Sequence, residues 1–212
     1  MRDLTTTLEK AAAHERLTLL CSFQKEESVI LDALLPLAPH ARVVTIDTGV
    51  LFAETLATWR AFEERFNVRI EVEDAADHDR PYTGPAEHCC SLGGAAGFPP
   101  KVAALERALA GSDAWITGVR REQGPTRART EPVEWDAKRS MWKYNPLAAW
   151  TEKDLWQRIH ERDLPYNALH DAGYESIGCA PCTQPGAGRV GRWAGSEQTE
   201  CGLHVAEPVG GA

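Results

Sequence analysis

The sequence predicts an α/β protein whose parallel, twisted sheet is flanked by helices. Short apolar runs alternate along the chain with segments in which apolar residues recur at helical spacing. Strands that alternate with helices in this way build a parallel sheet that is covered on both faces. Polar or glycine-bearing residues directly follow three of the predicted strands, at the edge where such sheets bind their ligands.

The individual elements follow from the same pattern. Strands are predicted over residues 16–21, 42–47, 68–72 and 114–117. Helices are predicted over residues 29–37, 53–66, 102–109 and 151–162. The last helix is expected to be capped by Thr151, with Asp154 at its third helical position. Cys21 lies within an apolar run and is expected to be a core residue.

Two segments break the pattern. Residues 74–100 are rich in glycine and proline and are predicted to form a loop, and regular structure fades again from Gly173 onward. We therefore divide the chain into a nucleotide-binding α/β domain over residues 1–172, which includes a cysteine-bearing loop at 83–100, and a mobile C-terminal tail over residues 173–212.

Composition narrows the classes of function. The net charge of −8 argues against a nucleic-acid binder, which needs a basic face, but it allows a small anionic substrate in a locally positive pocket. No apolar run approaches the roughly 18 residues that a membrane span needs, and the first residues lack the apolar stretch of a secretory signal. The expected location is the cytoplasm, without nucleic-acid or membrane partners.

The three strand exits carry unusual residues. They are residues 22–27 after the first strand, 47–49 after the second and 118–121 after the fourth. Any one of them is equally consistent with a simple turn. Together they favour a nucleotide pocket, because the carboxyl ends of parallel strands meet at one edge of the sheet.

Four of the six cysteines form a pattern typical of a metal centre. Cys89 and Cys90 are adjacent, and Cys179 and Cys182 form a Cys-x-x-Cys motif. Four thiols match an iron–sulfur cluster or a closed zinc site. Adjacent cysteines disfavour zinc because their side chains point apart. Four unrelated buried cysteines and a thioredoxin-type redox pair are the other interpretations, and a disulfide framework does not suit a reducing compartment.

Cys201 stands apart from the other cysteines. It lies in the C-terminal tail, with His204 three residues later and Arg189 and Arg192 upstream. Positive neighbours stabilise the thiolate, which is the nucleophilic form. The pattern indicates an activated thiol, against the alternative of an incidental surface cysteine.

Seven segments, in order along the chain, resemble the family of assimilatory adenylyl-sulfate and phosphoadenylyl-sulfate reductases. They are SFQKE at 22–26, IDTGVLFAET at 46–55, WITGVRREQ at 115–123, KYNPL at 143–147, GCAPC at 178–182, RVGRW at 189–193 and ECGLH at 200–204. The resemblance implies an adenine nucleotide α-hydrolase-like fold, in which the first strand exit is a modified pyrophosphate-binding loop.

The resemblance also implies a chemistry. Cys201 would be the nucleophile, and Cys89, Cys90, Cys179 and Cys182 would hold a [4Fe-4S] cluster. Family members that carry all four cysteines generally use adenosine 5′-phosphosulfate, which this chain is expected to convert into sulfite and AMP. The intermediate would be a cysteine S-sulfonate that thioredoxin or a similar dithiol discharges. The alternatives are a phosphoadenylyl-sulfate reductase and a cluster-bearing thiolating enzyme of the same nucleotide fold.

Eight residues are predicted to bind substrate on this basis. They are Ser22, Gln24, Lys101, Gly118, Arg127, Arg189, Arg192 and His204. Of these, Arg127, Arg189, Arg192 and His204 match family positions near the phosphosulfate. Lys101 departs from the family pattern, because an insertion separates it from Cys90, and a plain helix-start lysine is the alternative. A homo-oligomer is a possible assembly.

Overall fold

The protein is described here by a computed structural model that covers residues 2–75, 100–193 and 203, with only the backbone of Arg2 and Pro100. In this part of the chain, six strands form one sheet in the order β3-β2-β1-β4-β6-β5. The strands are β1 Leu17–Leu20, β2 Arg42–Asp47, β3 Glu71–Asp74, β4 Ala114–Ile116, β5 Val133–Asp136 and β6 Met141–Tyr144. Neighbouring strands are parallel except for β5, which runs antiparallel to β6.

Helices cover both faces of the sheet. They are α1 Arg2–Ala12, α2 Lys25–Leu34, α3 Ala53–Phe66, α4 Pro100–Ala108 and α5 Glu152–Arg162. Side chains from α1, α2, α3 and α5 share a buried cluster with Leu17 and Leu19 of β1. On the other face, side chains of α4 and the cysteine-bearing segment around residues 179–193 pack with Leu20 and Trp115. Among the described residues, no helix combines the length and the apolar character needed to cross a membrane.

The strand order creates a topological switch point between β1 and β4. From β1 the chain moves outward through β2 to β3, and it then returns to the opposite side of β1 to form β4. Loops after two such neighbouring strands leave in opposite directions, so a crevice opens between them at the carboxyl edge of the sheet. The fold therefore places the exits of β1 and β4 side by side.

The predicted fold class is confirmed, and so are several elements. Helix α3 occupies residues 53–66 as predicted, and α5 begins after Thr151, whose hydroxyl accepts a hydrogen bond from the backbone N–H of Asp154. Other predicted boundaries are off by one to four residues, most of all those of the third strand and of α2. The third strand lies at Glu71–Asp74 rather than at 68–72, and α2 ends at Leu34 rather than continuing to residue 37. Leu37, which extended the helical pattern, is 40% exposed beyond the helix end.

The sequence pattern did not identify three elements, namely α1, β5 and β6. Strands β5 and β6 are only four residues long, and β5 is an edge strand of the sheet. Their paired tryptophans, Trp135 and Trp142, contact each other across the strands but remain about half exposed. A short edge strand that buries one face incompletely gives too weak a periodicity to be read from sequence.

Candidate functional site

A cleft opens at the switch point beyond the carboxyl ends of β1 and β4. It contains about 980 Å³ of open space, part of which is continuous with solvent. Its walls come from the β1 exit, the β4 exit, the start of α4 and the segment that carries Cys179. Clefts at the switch point of a parallel sheet are common ligand sites.

The β1 exit forms one wall through a tight loop. Phe23 takes a left-handed backbone conformation, with φ of 59°, and its ring is buried against Trp59 and Phe62 of α3. Anchoring Phe23 in this way leaves Ser22 and Gln24 on the cleft side. A non-glycine residue at positive φ is strained, and such strain concentrates at functional loops.

Glu27 of α2 turns back into this loop. Its carboxylate accepts hydrogen bonds from the Ser22 hydroxyl at 3.2 Å and from the backbone N–H of Gln24 at 2.9 Å. Burial, together with the nearby negative charge of Glu26, raises the pKa of Glu27 to about 8. The loop therefore donates hydrogen bonds to the buried carboxyl group of Glu27, which is largely protonated below pH 8.

The β4 exit approaches this loop so closely that residue 118 must be glycine. A Cβ atom at Gly118 would lie 2.6 Å from Glu27 Oε1 and 2.7 Å from Glu26 Cβ. Beside it, the hydroxyl of Thr117 donates to the side-chain oxygen of the fully buried Asn145 at 2.8 Å. The predicted role of Gly118 thus includes a steric one, since any side chain would push the two strand exits apart.

An ion network centred on the buried pair of Arg120 and Glu26 lies beside the cleft. The guanidinium of Arg120 bonds Glu26 at 2.9 Å, Glu122 at 3.0 Å and Glu152 at 2.7 Å. Burial alone favours the neutral form of Glu26, but the charges of Lys25 and Arg120 hold its pKa below its usual value. This network joins the β1 loop, the β4 exit and the start of α5 into one unit.

Four basic side chains line the cleft itself. They are Lys101 at the start of α4, Arg127 in a short 3-10 turn after β4, and Arg189 and Arg192 from the C-terminal segment. Arg127 donates to Gln123 at 2.6 Å, and the guanidinium groups of Arg189 and Arg192 both lie over the Trp193 ring. Planar guanidinium groups suit phosphate and sulfate oxygens, so the cleft is fitted to an anion.

The Cys-x-x-Cys segment contacts the loop that follows β2. The backbone N–H of Ala180 donates to the carbonyl of Val50, and the Thr48 hydroxyl lies 3.2 Å from the sulfur of Cys179. Cys179 and Cys182 are both buried, and Cys179 lines the cleft.

Two thiols in a short turn within a buried, hydrogen-bonded pocket fit half of a four-cysteine cluster site. Cys89 and Cys90, the other predicted ligands, lie outside the described residues. Over residues 2–75, 100–193 and 203, no group of three or more metal-binding side chains assembles.

The C-terminal tail returns to the cleft at one described position. Leu203 is 8% exposed, lines the cleft and packs in the same apolar cluster as Cys179, Cys182 and Trp193. The predicted nucleophile Cys201 and the predicted ligand His204 lie outside the described residues. Leu203 is the residue between Gly202 and His204 in the predicted catalytic motif.

The cleft brings together the described residues that were predicted to bind substrate. Ser22, Gln24, Lys101, Gly118, Arg127, Arg189 and Arg192 all line it. Glu27, Gln123 and Thr55 line the cleft as well, although they were not among the residues predicted to bind substrate. Cys21 is buried, as predicted for a core residue, but it also borders the cleft, and burial raises the pKa of its thiol well above the usual value. The acidic run at 26–27 after a strand was the one signal that pointed to Glu27.

Comparison with known proteins gives consistent matches. The family model described as "Phosphoadenosine phosphosulfate reductase domain" matches residues 16–185. A Gloeobacter violaceus protein named "Phosphoadenosine 5'-phosphosulfate reductase" is 43% identical over 207 residues, covering 90% of this chain and 83% of that protein. A Geobacillus kaustophilus protein named "Adenosine 5'-phosphosulfate reductase" is 41% identical over 200 residues, covering 88% of this chain and 82% of that protein.

Solved structures match in fold. The phosphoadenylyl-sulfate reductase of Candida auris superposes with a TM-score of 0.66 at 23% identity, covering 84% of this chain and 88% of that one. The FMN adenylyltransferase of Candida glabrata, in complex with FMN and an ATP analogue, gives a TM-score of 0.62 at 19% identity, covering 87% of this chain and 65% of that one. At these identities the likeness shows the fold alone.

Proposed function

The chain belongs to the phosphoadenosine phosphosulfate reductase family, and from that premise we propose that it reduces adenosine 5′-phosphosulfate to sulfite and AMP. It is an oxidoreductase that acts on a sulfur group and serves the assimilation of sulfate. The observation that carries the proposal is the cleft at the switch point, which Lys101, Arg127, Arg189 and Arg192 all line. In this proposal the nucleoside lies along the β1 and β4 exits, and the basic side chains bind the phosphosulfate group.

The chemistry requires those cations. The sulfur atom of the substrate is surrounded by negatively charged oxygens, which repel an approaching thiolate. Guanidinium groups at the cleft wall lower this repulsion and stabilise the charge that develops on the departing phosphate. Arg192 is suited to this role because its guanidinium is fixed by contacts with the protein before substrate arrives.

We assign the nucleophile to Cys201. Its thiolate attacks the sulfur, a sulfur–sulfur bond forms, the bond between sulfur and the bridging phosphate oxygen breaks, and AMP leaves. A dithiol protein such as thioredoxin then attacks Cys201 with one thiol, releases sulfite, and closes its own disulfide with the second. The two electrons that reduce the sulfur come from that dithiol. The buried position of Leu203 in the cleft supports this assignment, because Leu203 belongs to the same short motif.

We also propose a [4Fe-4S] cluster held by Cys89, Cys90, Cys179 and Cys182. Bound there, the cluster would add to the local electrostatic field and order the segments that carry its ligands. The buried pair Cys179 and Cys182 supports this, together with the Thr48 hydroxyl beside the Cys179 sulfur.

Anaerobically purified protein should contain about four iron and four sulfide per chain. Cys182→Ser should lose the brown colour, whereas Cys21→Ser, which alters a thiol outside the proposed ligand set, should keep it. Stoichiometric zinc without sulfide would overturn the cluster assignment.

The second candidate is a phosphoadenylyl-sulfate reductase, because a relative at 43% identity carries that name. Sulfite release should be measured with adenosine 5′-phosphosulfate and with its 3′-phosphorylated form, with thioredoxin as reductant. We expect a higher kcat/KM for the form without the 3′-phosphate. A reversed preference would transfer the assignment to the second candidate, and no sulfite from either substrate would reject both.

The remaining parts of the proposal concern setting and partners. The reductant is proposed to be thioredoxin or a similar dithiol, and the location the cytoplasm, where the cysteines stay reduced. Neither nucleic acid nor a membrane is proposed as a partner, in keeping with the net charge of −8. A homo-oligomer and the division of the chain at residue 172 stay predictions.

A further inference from the structure

Gln24 makes an unusual contact for a residue predicted to bind substrate. Its side-chain nitrogen Nε2 donates a hydrogen bond to the carbonyl of Ile177, and the backbone N–H of Ile177 donates to Gln24 Oε1 at 3.1 Å. These are the two bonds that a neighbouring β-strand would make with one residue. A carboxamide can supply both, because it carries a donor and an acceptor side by side.

The same carbonyl also receives a cleft arginine. Arg192 Nη1 donates to the Ile177 carbonyl at 3.2 Å and to the Ser176 hydroxyl at 3.3 Å. Its guanidinium lies so close to Gly178 that a Cβ atom there would stand 2.3 Å from Nη2. Gln24 and Arg192 therefore share one acceptor, and Cys179 follows two residues later.

A second contact holds the same segment. Lys25, which is 1% exposed, donates from Nζ to the carbonyl of Glu175 at 3.0 Å. Gln24 and Lys25, which are consecutive in sequence, thus hydrogen-bond the backbone at residues 177 and 175. These hydrogen bonds join the β1 loop to the cysteine-bearing segment.

We propose that Gln24 is a positioning residue that fixes Ile177 and, through the shared carbonyl, holds Arg192 at the cleft wall. Its carboxamide is committed to the protein backbone and acts on the substrate through Arg192. Removing it would leave the buried backbone groups of Ile177 with fewer partners, which loosens the segment. The inference rests on the proposed function only in taking Arg192 as a ligand of the phosphosulfate.

Hydrogen exchange tests the contact directly. Gln24→Met keeps the side-chain length and removes both hydrogen bonds, and Gln24→Asn keeps the amide but shortens the reach by one methylene. Each variant should raise the amide exchange rate of Ile177 by at least roughly tenfold, because that N–H loses its acceptor. Gln157→Met, at an exposed position on α5, is the matched control and should leave the rate unchanged. Wild-type exchange at Ile177 in both Gln24 variants would overturn the proposal.

A double-mutant cycle tests the role. The dissociation constant of adenosine 5′-phosphosulfate is measured in a Cys201→Ser background, so that no sulfonate transfer can occur, for Gln24→Met, Arg192→Ala and the pair. We expect Gln24→Met to weaken binding roughly tenfold when Arg192 is present and less than about twofold when it is absent. Fully additive losses would show direct contact of Gln24 with substrate and sink the proposal. If the ligand does not bind at all, the proposed function fails, and the exchange experiment still decides the role of Gln24.

Discussion

At the scale of single residues, Glu27 gives the cleft a pH dependence. Burial and the charge of Glu26 raise its pKa from 4.5 to about 8 in the folded protein. The folded state therefore holds a proton on Glu27 that the unfolded chain has released once the pH exceeds 4.5. The stabilising contribution is complete below pH 4.5 and is lost as pH rises towards 8.

Glu27→Gln should remove this dependence, because an amide does not titrate. Urea unfolding of both proteins between pH 5 and 8 should show the wild type losing stability relative to the variant by up to about 1.4 kcal/mol per pH unit. The difference should level off above pH 8 or so. A difference that stays constant over the whole range would show that Glu27 is ionised in the folded protein.

The residues of the cleft differ in how far the sequence could identify them. Ser22, Gly118 and Arg127 were predictable, because they follow strands of a parallel sheet or match a family motif, and strand exits converge at one edge. The partner of Gln24 was not, since Ile177 lies 153 positions away and nothing local indicates the contact. Glu27 was missed because an acidic residue in a first helical turn is ordinarily a solvated one.

At the scale of elements, local pattern decided what could be predicted. Helix α3 and the Thr151 cap of α5 were identified from residues that are neighbours in sequence. Strands β5 and β6 depend on pairing with each other and with β4, so their four-residue segments carry little signal alone. Helix α1 packs on α2, β4 and β6. Tertiary context supplies what the local sequence does not.

The elements around the cleft are joined by Arg120, which makes a strong prediction. Arg120→Met should destabilise the fold by about 3–5 kcal/mol, because Glu26, with a side chain that is 4% exposed, loses its direct ion-pair partner in a buried site. Arg42→Met breaks an ion pair with Glu71 in which both side chains are more than a third exposed, and it should cost at most about 1 kcal/mol. Chemical denaturation of the two variants compares them. Equal losses of stability in the two variants would show that the ion pairs of Arg120 stabilise the fold no more than an exposed ion pair does.

At the scale of the whole molecule, segments that are far apart in the sequence meet in one cleft. The β1 loop near residue 22 faces the segment at 175–193 across the cleft. Leu203 packs in the apolar cluster that contains Cys179 and Trp193. Although the net charge of the chain is −8, basic residues line the cleft, as an anionic substrate requires. The architecture therefore brings Leu203 and the segment at 175–193 to a cleft formed mainly by the first 130 residues.

Leu203 is predicted to dock this motif. Leu203→Ala removes a buried side chain, and a loss of roughly 2 kcal/mol or more in docking should slow first-turnover AMP formation by at least about thirtyfold. Val190→Ala is the matched control, because Val190 is 80% exposed in the same segment of the chain. Rapid-quench measurement of AMP without reductant gives both rates. Equal rates for the two variants would show that the contact of Leu203 plays no part in the reaction.

The central claim is that Cys201 accepts the sulfonate in this cleft, and mass spectrometry of the protein after one turnover tests it most directly. Protein incubated with adenosine 5′-phosphosulfate and no reductant should gain one sulfonate on the peptide that contains Cys201 and release one equivalent of AMP. Thioredoxin should then remove the adduct as sulfite, and Cys201→Ser should form neither adduct nor AMP. An adduct on another cysteine, or normal sulfite release by Cys201→Ser, would contradict the account.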